Sequence, residues 1–366
     1  MSALAPVLAD ALDTLRQIPL PVLLAGLAAL VLAVALSSYT LLTLVAPRPR
    51  PPTARENTYR TNLPPTGAPS DSLPLPSAYT SDPFTLPSSS VYISVVVPAY
   101  NEAARLPGML EEAIEVLQSV YTPLGLEWEI IVVSDGSSDA TVRTALEFAV
   151  AHARPEPVGV AGPWREGGKG TRIPHGVIRV VELERNRGKG GAVVHGLRHV
   201  RGLWVLFADA DGATRFADLP GLVKVGAEKS DAQHRVVVVG SRAHLVGSEA
   251  VVKRSLLRNF LMHCFHLLIR LMTPAATSAI RDTQCGFKLL SRAALPHIVP
   301  HMHSEGWIFD IELLMLAEAA GIPMAEVPVA WKEVGGSKLS VIKDSIAMAW
   351  GLAVLRAAWA FGVYKR

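Results

Sequence analysis

From Val91 onward the chain alternates apolar runs of strand length with stretches whose apolar residues recur every three or four positions. "VYISVVVPAY" is a β-branched run, and "NEAARLPGMLEEAIEVLQSV" has helical spacing. "EWEIIVVSDGSSDATVRTALEFAVAHA" repeats strand, turn and helix, and "GVIRVVELERNRGKGGAVVHGLRHVRGLWVLFADADG" repeats them again. This order predicts an α/β fold with a Rossmann-like, mostly parallel sheet and helices on both faces. Upstream, Ile18 to Ala46 carries no charge and is long enough for one transmembrane helix. The expected organisation is a short N-terminal flank (1–17), a membrane span (18–46), a stiff Pro/Ser-rich tether (47–90), an α/β body (91–340) and a C-terminal amphipathic, membrane-associated segment (341–366). "SLLRNFLMHCFHLLIRLM" (Ser255 to Met272) is a second candidate interfacial helix.

Ligands of open parallel sheets sit at the carboxyl ends of the strands. Three successive apolar runs end there in polar residues: Tyr100, Asn101 and Glu102 after the first, Ser134 and Asp135 after the second, Asp209 and Asp211 after the third. All are expected to share one crevice. Asp209 and Asp211 are two apart, so in extended chain they point the same way and repel unless a cation lies between them. A hard divalent ion, Mg²⁺ or Mn²⁺, takes such carboxylates together with phosphate oxygens. Asp135 is placed to accept hydrogen bonds from a nucleobase or ribose. In "RNRGKGGA", Arg187 and Lys189 flank glycines at a loop-to-helix junction, which suits an anionic diphosphate.

Later segments add Ser241 and Arg242 after another strand, Asp282, Gln284 and Lys288 around a glycine, and Trp307, Asp310 and Glu312 at a helix start. Ser337 and Lys338, in "GGSKLS", could close over phosphates as a lid. The insert Ala153 to Gly176 contains "GPWREGGKGT", which fails the phosphate-loop spacing because Gly168 stands where lysine is needed, and it reads as a surface loop.

Charge and composition narrow the partners. Net charge is +3 and the basic residues are scattered, which argues against nucleic acid and for a membrane surface. Arg48, Arg50 and Arg55 follow the span while Asp10, Asp13 and Arg16 precede it, so the body is expected on the cytosolic side and the N-terminus in the lumen. Cys264 and Cys285 are expected to be reduced and packed.

The ordered set "VVVPAYNEAARLP", "VVSDGSSD", "NRGKGGA", "FADADGAT", "GSRAHL", "RDTQCGFKL", "WIFDIELL" and "GSKL" resembles the dolichyl-phosphate β-glucosyltransferases of glycosyltransferase family 2, over about Tyr92 to Leu339. Ser134 departs from the many relatives that carry a second acid there. The resemblance implies a GT-A fold and inverting transfer of glucose from UDP-glucose to dolichyl phosphate at the endoplasmic reticulum membrane, for protein N-glycosylation. It implies Asp135 on the uridine, Asp209 and Asp211 on Mg²⁺ or Mn²⁺, and Lys338 on phosphate. The expected nucleotide-sugar set is Pro98, Tyr100, Glu102, Asp135, Lys189, Asp209, Arg242, Trp307, Ser337 and Lys338, with Asp282, Lys288 and Asp310 as the catalytic set. Asp282 is expected to orient the acceptor or take its last proton. Alternatives are a mannose synthase-type enzyme, a haloacid-dehalogenase-like phosphatase suggested by "DADGAT", and a non-catalytic nucleotide-sugar-binding membrane protein.

Overall fold

The computed structural model describes residues 19–64, 69–76, 88–245, 267–336 and 341–364. The expected N-terminal flank 1–17, most of the candidate interfacial helix (255–266), Cys264, Ser337 and Lys338 lie outside the described residues. The chain divides into two compact units, residues 1–46 with 354–365, and the body from 47 to 353.

The first unit contains helix α1, Leu20–Val45, of 26 residues with none buried. At 1.5 Å per residue it is about 39 Å long, more than the ~30 Å hydrocarbon core of a bilayer. Among the described residues it is the one helix long and apolar enough to cross a membrane.

The body is built on a 7-stranded sheet. Its strands are β1 (Val91–Ala99), β2 (Trp128–Ser134), β3 (Ile178–Glu182), β4 (Gly202–Ala208), β5 (Val237–Ser241), β6 (Phe287–Ser291) and β7 (Met324–Pro328). They lie in the order β7-β5-β6-β4-β1-β2-β3. All neighbours are parallel except β6, which runs antiparallel to both β4 and β5. Every residue of β2 is buried, as expected of a strand covered on both faces, and this is why these segments read as continuous apolar runs. Helices α2 (Leu106–Val116), α3 (Thr141–His152), α4 (Lys189–Leu197), α5 (Leu219–Lys229) and α6 (Phe309–Ala319) pack around the sheet, and α7 spans Val341–Ala360. The mostly parallel α/β architecture agrees with the sequence reading.

The reversal of β6 shapes the site. Phe287, its first residue, pairs with Ala208, the last of β4. Residues 282–286 therefore arrive at the same sheet edge as the carboxyl ends of β1, β2, β4 and β5.

One expectation changes and two segments gain detail. The 47–90 tether is not free over its first half: Glu56, Thr61 and Asn62 are buried, Arg60 bridges Val180 of β3, and Asn62 Nδ2 donates to the Ala149 carbonyl. A few polar anchors hold this proline-rich strand of chain where an apolar pattern is lacking. The insert 153–176 is docked as well. Buried Glu111 accepts from His152 and from the backbone N–H groups of Val160 and Thr171. In α7, the large apolar side chains of Ile346 and Trp350 are exposed at 64% and 62%, alongside exposed Lys343.

Candidate active site

The ends of β4, β1 and β2 are neighbours in the sheet, so their polar residues converge. Asp209 and Asp211 follow β4 directly, with side chains 36% and 28% exposed. Lys189, at the start of α4, places Nζ 2.6 Å from Asp209 Oδ1 and 5.9 Å from the centroid of the Trp307 ring. Burial and the charge of Asp209 push the Asp211 carboxyl up, whereas the Ala213 N–H, donating to Asp211 Oδ1 at 3.0 Å, works against that rise. Arg105 Nη1 lies 3.8 Å from Asp211 Oδ2.

These two carboxylates fit a divalent cation of one kind. Among the described residues no group of three or more His, Cys, Asp or Glu side chains is arranged to hold a metal. A pair of carboxylates suits an ion that keeps several waters and takes its other ligands from a diphosphate, as Mg²⁺ does. The repulsion from Asp209, which adds to burial in lifting Asp211, is what such an ion would relieve.

Asp135 also holds the chain beside it. Its carboxylate accepts from the backbone N–H groups of Arg187 at 2.7 Å and Gly188 at 2.9 Å, so it orders the loop leading into α4. Burial nevertheless pushes its pKa up to about 6. Arg187 is engaged with Glu305 at 2.5 Å and with the Arg50 carbonyl, leaving Lys189 as the cation of that junction beside Asp209.

Two ion pairs complete the floor and wall. Arg242 clasps Asp282 with Nε at 2.7 Å, Nη2 at 2.8 Å and its own backbone N–H at 2.9 Å. Burial raises the Asp282 carboxyl, but hydrogen bonds and charge from Arg242 outweigh it and hold it below its ordinary value. Beneath, Lys288 Nζ donates to Asp310 and, at 2.7 Å, to the Cys285 carbonyl. Both side chains of this pair are sealed, at 0% and 3% exposure. Lys288 and Asp310, expected as catalytic, are thus paired with each other and closed to solvent in this structure.

Tyr100 is exposed at the mouth, Pro98 is half-buried in β1, and Glu102 is bound to Arg105 at 2.6 Å. Glu312, also singled out by sequence, is buried and accepts from the N–H groups of His303 and Ser304.

Two site residues escaped the sequence reading. Arg105 links Glu102, Asp211 and, at 3.1 Å, the Gly335 carbonyl that precedes the "GSKL" loop. Gly286 donates no side chain, and that is its use: a Cβ there would sit 2.0 Å from Asp209 Oδ2. Its carbonyl also accepts from the Asp209 N–H at 3.1 Å. The glycine inside "RDTQCGFKL" was visible, but only the antiparallel pairing of β6 with β4 brings it against Asp209.

Residues 94–298 match the family model of glycosyl transferase family 2. Dolichyl-phosphate β-glucosyltransferase of Saccharomyces cerevisiae is 39% identical, covering 92% of this chain and 93% of that protein. The enzyme of the same name from Drosophila melanogaster is 42% identical over 76% of this chain and 78% of that protein. Mannosyl-3-phosphoglycerate synthase from Rubrobacter xylanophilus is similar in structure, at 17% identity and a TM-score of 0.46, over 75% of this chain and 77% of that one.

Proposed function

We propose, on the premise that this chain belongs to the dolichyl-phosphate β-glucosyltransferases of glycosyltransferase family 2, that it transfers glucose from UDP-glucose to dolichyl phosphate with inversion at the anomeric carbon. The observation that carries this reading is the correspondence with the yeast relative along nearly its whole length.

The site chemistry supports it. An acceptor phosphate oxygen attacks C1 of the glucose, the bond from C1 to the diphosphate oxygen breaks, and UDP leaves with the electron pair. Asp209 and Asp211 would hold Mg²⁺ or Mn²⁺, which when bound supplies charge stabilisation to the departing diphosphate. Lys189, beside Asp209, adds a second positive charge on that side. Asp135 fixes the loop that presents Lys189 and lines the nucleotide end of the crevice. Ser337 and Lys338 follow Gly335, whose carbonyl is tied to Arg105, and their part in closing over phosphates belongs to the same proposal.

A phosphate monoester has a second pKa of about 6, so the acceptor is largely dianionic near neutral pH and needs no strong base. Asp282, held low by Arg242, is poorly suited to take a proton and well suited to fix the guanidinium of Arg242 in place. The pair thus orients the acceptor phosphate, and Lys288 with Asp310 supports the segment that carries it. The α1 helix anchors the enzyme as a single-pass protein of the endoplasmic reticulum membrane, with the body from Val91 to Ser340 in the cytosol where UDP-glucose is made available, and residues 1–17 in the lumen.

The test is a panel of radiolabelled nucleotide sugars offered to the purified full chain in detergent with dolichyl phosphate. Lipid-extractable label is expected from UDP-glucose and abolished by EDTA. Equal or better labelling from GDP-mannose would replace the glucosyl reading with the mannosyl one, and release of phosphate from dolichyl phosphate alone would favour the phosphatase. In sealed microsomes, protease added outside should destroy the body, and its protection would reverse the proposed orientation.

A further inference from the structure

The insert 153–176 is joined to the turn that carries Asp211. Trp164 is held at two points: its backbone N–H donates to Glu112 Oε1 at 2.8 Å, and its indole Nε1 donates to the Gly212 carbonyl at 3.0 Å. The Gly212 carbonyl and the Ala213 N–H belong to one peptide group, which is planar and stiff. The N–H end of that plane donates to Asp211 Oδ1 at 3.0 Å. An indole on one side of the peptide and a carboxylate on the other are therefore linked through a single rigid unit.

Neighbouring contacts hold the indole still. Lys332 donates Nζ to the Pro163 carbonyl at 2.9 Å and lies 4.2 Å from the centroid of the Trp164 ring. Its backbone N–H donates to the Ala213 carbonyl at 2.9 Å, so the 330–332 segment grips the turn and the insert together. The insert meets α2 by a close backbone approach: a Cβ on Gly162 would be 2.7 Å from Glu112 Oε1 and 2.8 Å from the Gly108 carbonyl. Gly212 has φ +68°, a left-handed conformation that glycine reaches without steric cost.

We infer that Trp164 is a positioning residue for Asp211, aiming its carboxylate through the Gly212–Ala213 peptide, and that the insert is a brace of the donor site. The inference rests on the reading of Asp209 and Asp211 as the metal-bearing pair. Outer contacts that orient a metal ligand commonly change metal affinity by about 10- to 100-fold when removed.

Trp164→Phe tests it, because an aromatic ring is kept beside Lys332 while the indole N–H donor is lost with the pyrrole ring. Mn²⁺ binding in the presence of UDP is read by the loss of the free-ion EPR signal, with Asp211→Ala as the reference for a lost ligand. Trp164→Phe should weaken Mn²⁺ binding about tenfold and raise the Mn²⁺ concentration needed for half-maximal rate by a similar factor. Its kcat at saturating Mn²⁺ should stay within about twofold of the parent, and its melting temperature should be unchanged. Gly162→Ala, which pushes the insert off α2, should shift Mn²⁺ binding in the same direction. Unaltered Mn²⁺ binding by folded Trp164→Phe would overturn the inference, as would a loss of rate that added metal does not restore. A parent protein that binds no Mn²⁺ beside UDP would overturn the metal reading itself and the brace with it.

Discussion

Arg242–Asp282 and Lys288–Asp310 are both acid–cation pairs drawn from neighbouring segments, yet their surroundings shift the two carboxyls in opposite directions. In the first, the side chains are 32% and 13% exposed, and the guanidinium outweighs burial so that Asp282 stays readily ionised. In the second the pair is sealed, and burial outweighs Lys288 and Lys189 so that the Asp310 carboxyl is pushed up. The first can meet an anionic acceptor. The second sits under Phe207, whose ring centroid is 5.2 Å from Lys288 Nζ, and its charges serve the packing of β6 against α6. The difference is one of solvent access, and in the proposed function it leaves the first pair to handle substrate and the second to hold the floor.

The largest expected effect breaks the sealed pair. Lys288→Met leaves Asp310 buried without its cation and should cost about 3–5 kcal/mol of stability by urea unfolding, while Lys288→Met with Asp310→Leu should recover most of it. A double variant no more stable than the single one would show that the pair supplies something beyond mutual neutralisation.

Opening the exposed pair should act on rate. Asp282→Asn is expected to lower kcat about 100-fold, roughly 2.7 kcal/mol in barrier, with little change in melting temperature. Because Arg242 holds Asp282 below its ordinary range, this loss should be the same at pH 6 and pH 8. A loss clearly milder at pH 8 would return Asp282 to the role of base.

The smallest effect comes from a buried carboxylate whose bonding partner is a backbone N–H, that of Trp164. Burial raises Glu112 to about 7, above its value of 4.5 in an unfolded chain. The folded protein thus binds the proton more tightly, and the stability this contributes is present below pH 4.5 and lost as pH rises through 7. Glu112→Gln keeps an acceptor for Trp164 and should remove that slope, gaining about 1–2 kcal/mol over the parent at pH 8. An unchanged slope across this window would assign the ionisation elsewhere.

Strand ends were readable because periodicity marks where a buried strand stops, and a polar residue at that point has few other places to go. Asp135, Asp209 and Asp211 were found that way, and Lys189 from its helix start. Pairings were not readable. Which cation takes Asp282 and which takes Asp310 depends on β6 running against its neighbours, a choice made by sheet assembly and not by the spacing of "RDTQCGFKL". The docking of the insert was not readable for a related reason. Glu111 and Glu112 lie off the apolar stripe of α2 formed by Leu106, Met109, Leu110, Ala113 and Ile114, so they read as solvent-facing. They are buried because the insert comes back to cover them and its backbone N–H groups satisfy them.

The account stands or falls on a single inverting transfer in this crevice. UDP-glucose labelled with ¹³C at the anomeric carbon, incubated with the purified full chain, Mn²⁺ and a short dolichyl phosphate, allows the product anomer to be read by NMR from the coupling of that carbon's proton. The account predicts β-glucosyl phosphate on the lipid, formed from the α-linked donor. An α-linked lipid product, or free glucose and UDP with no lipid-linked sugar, would contradict it.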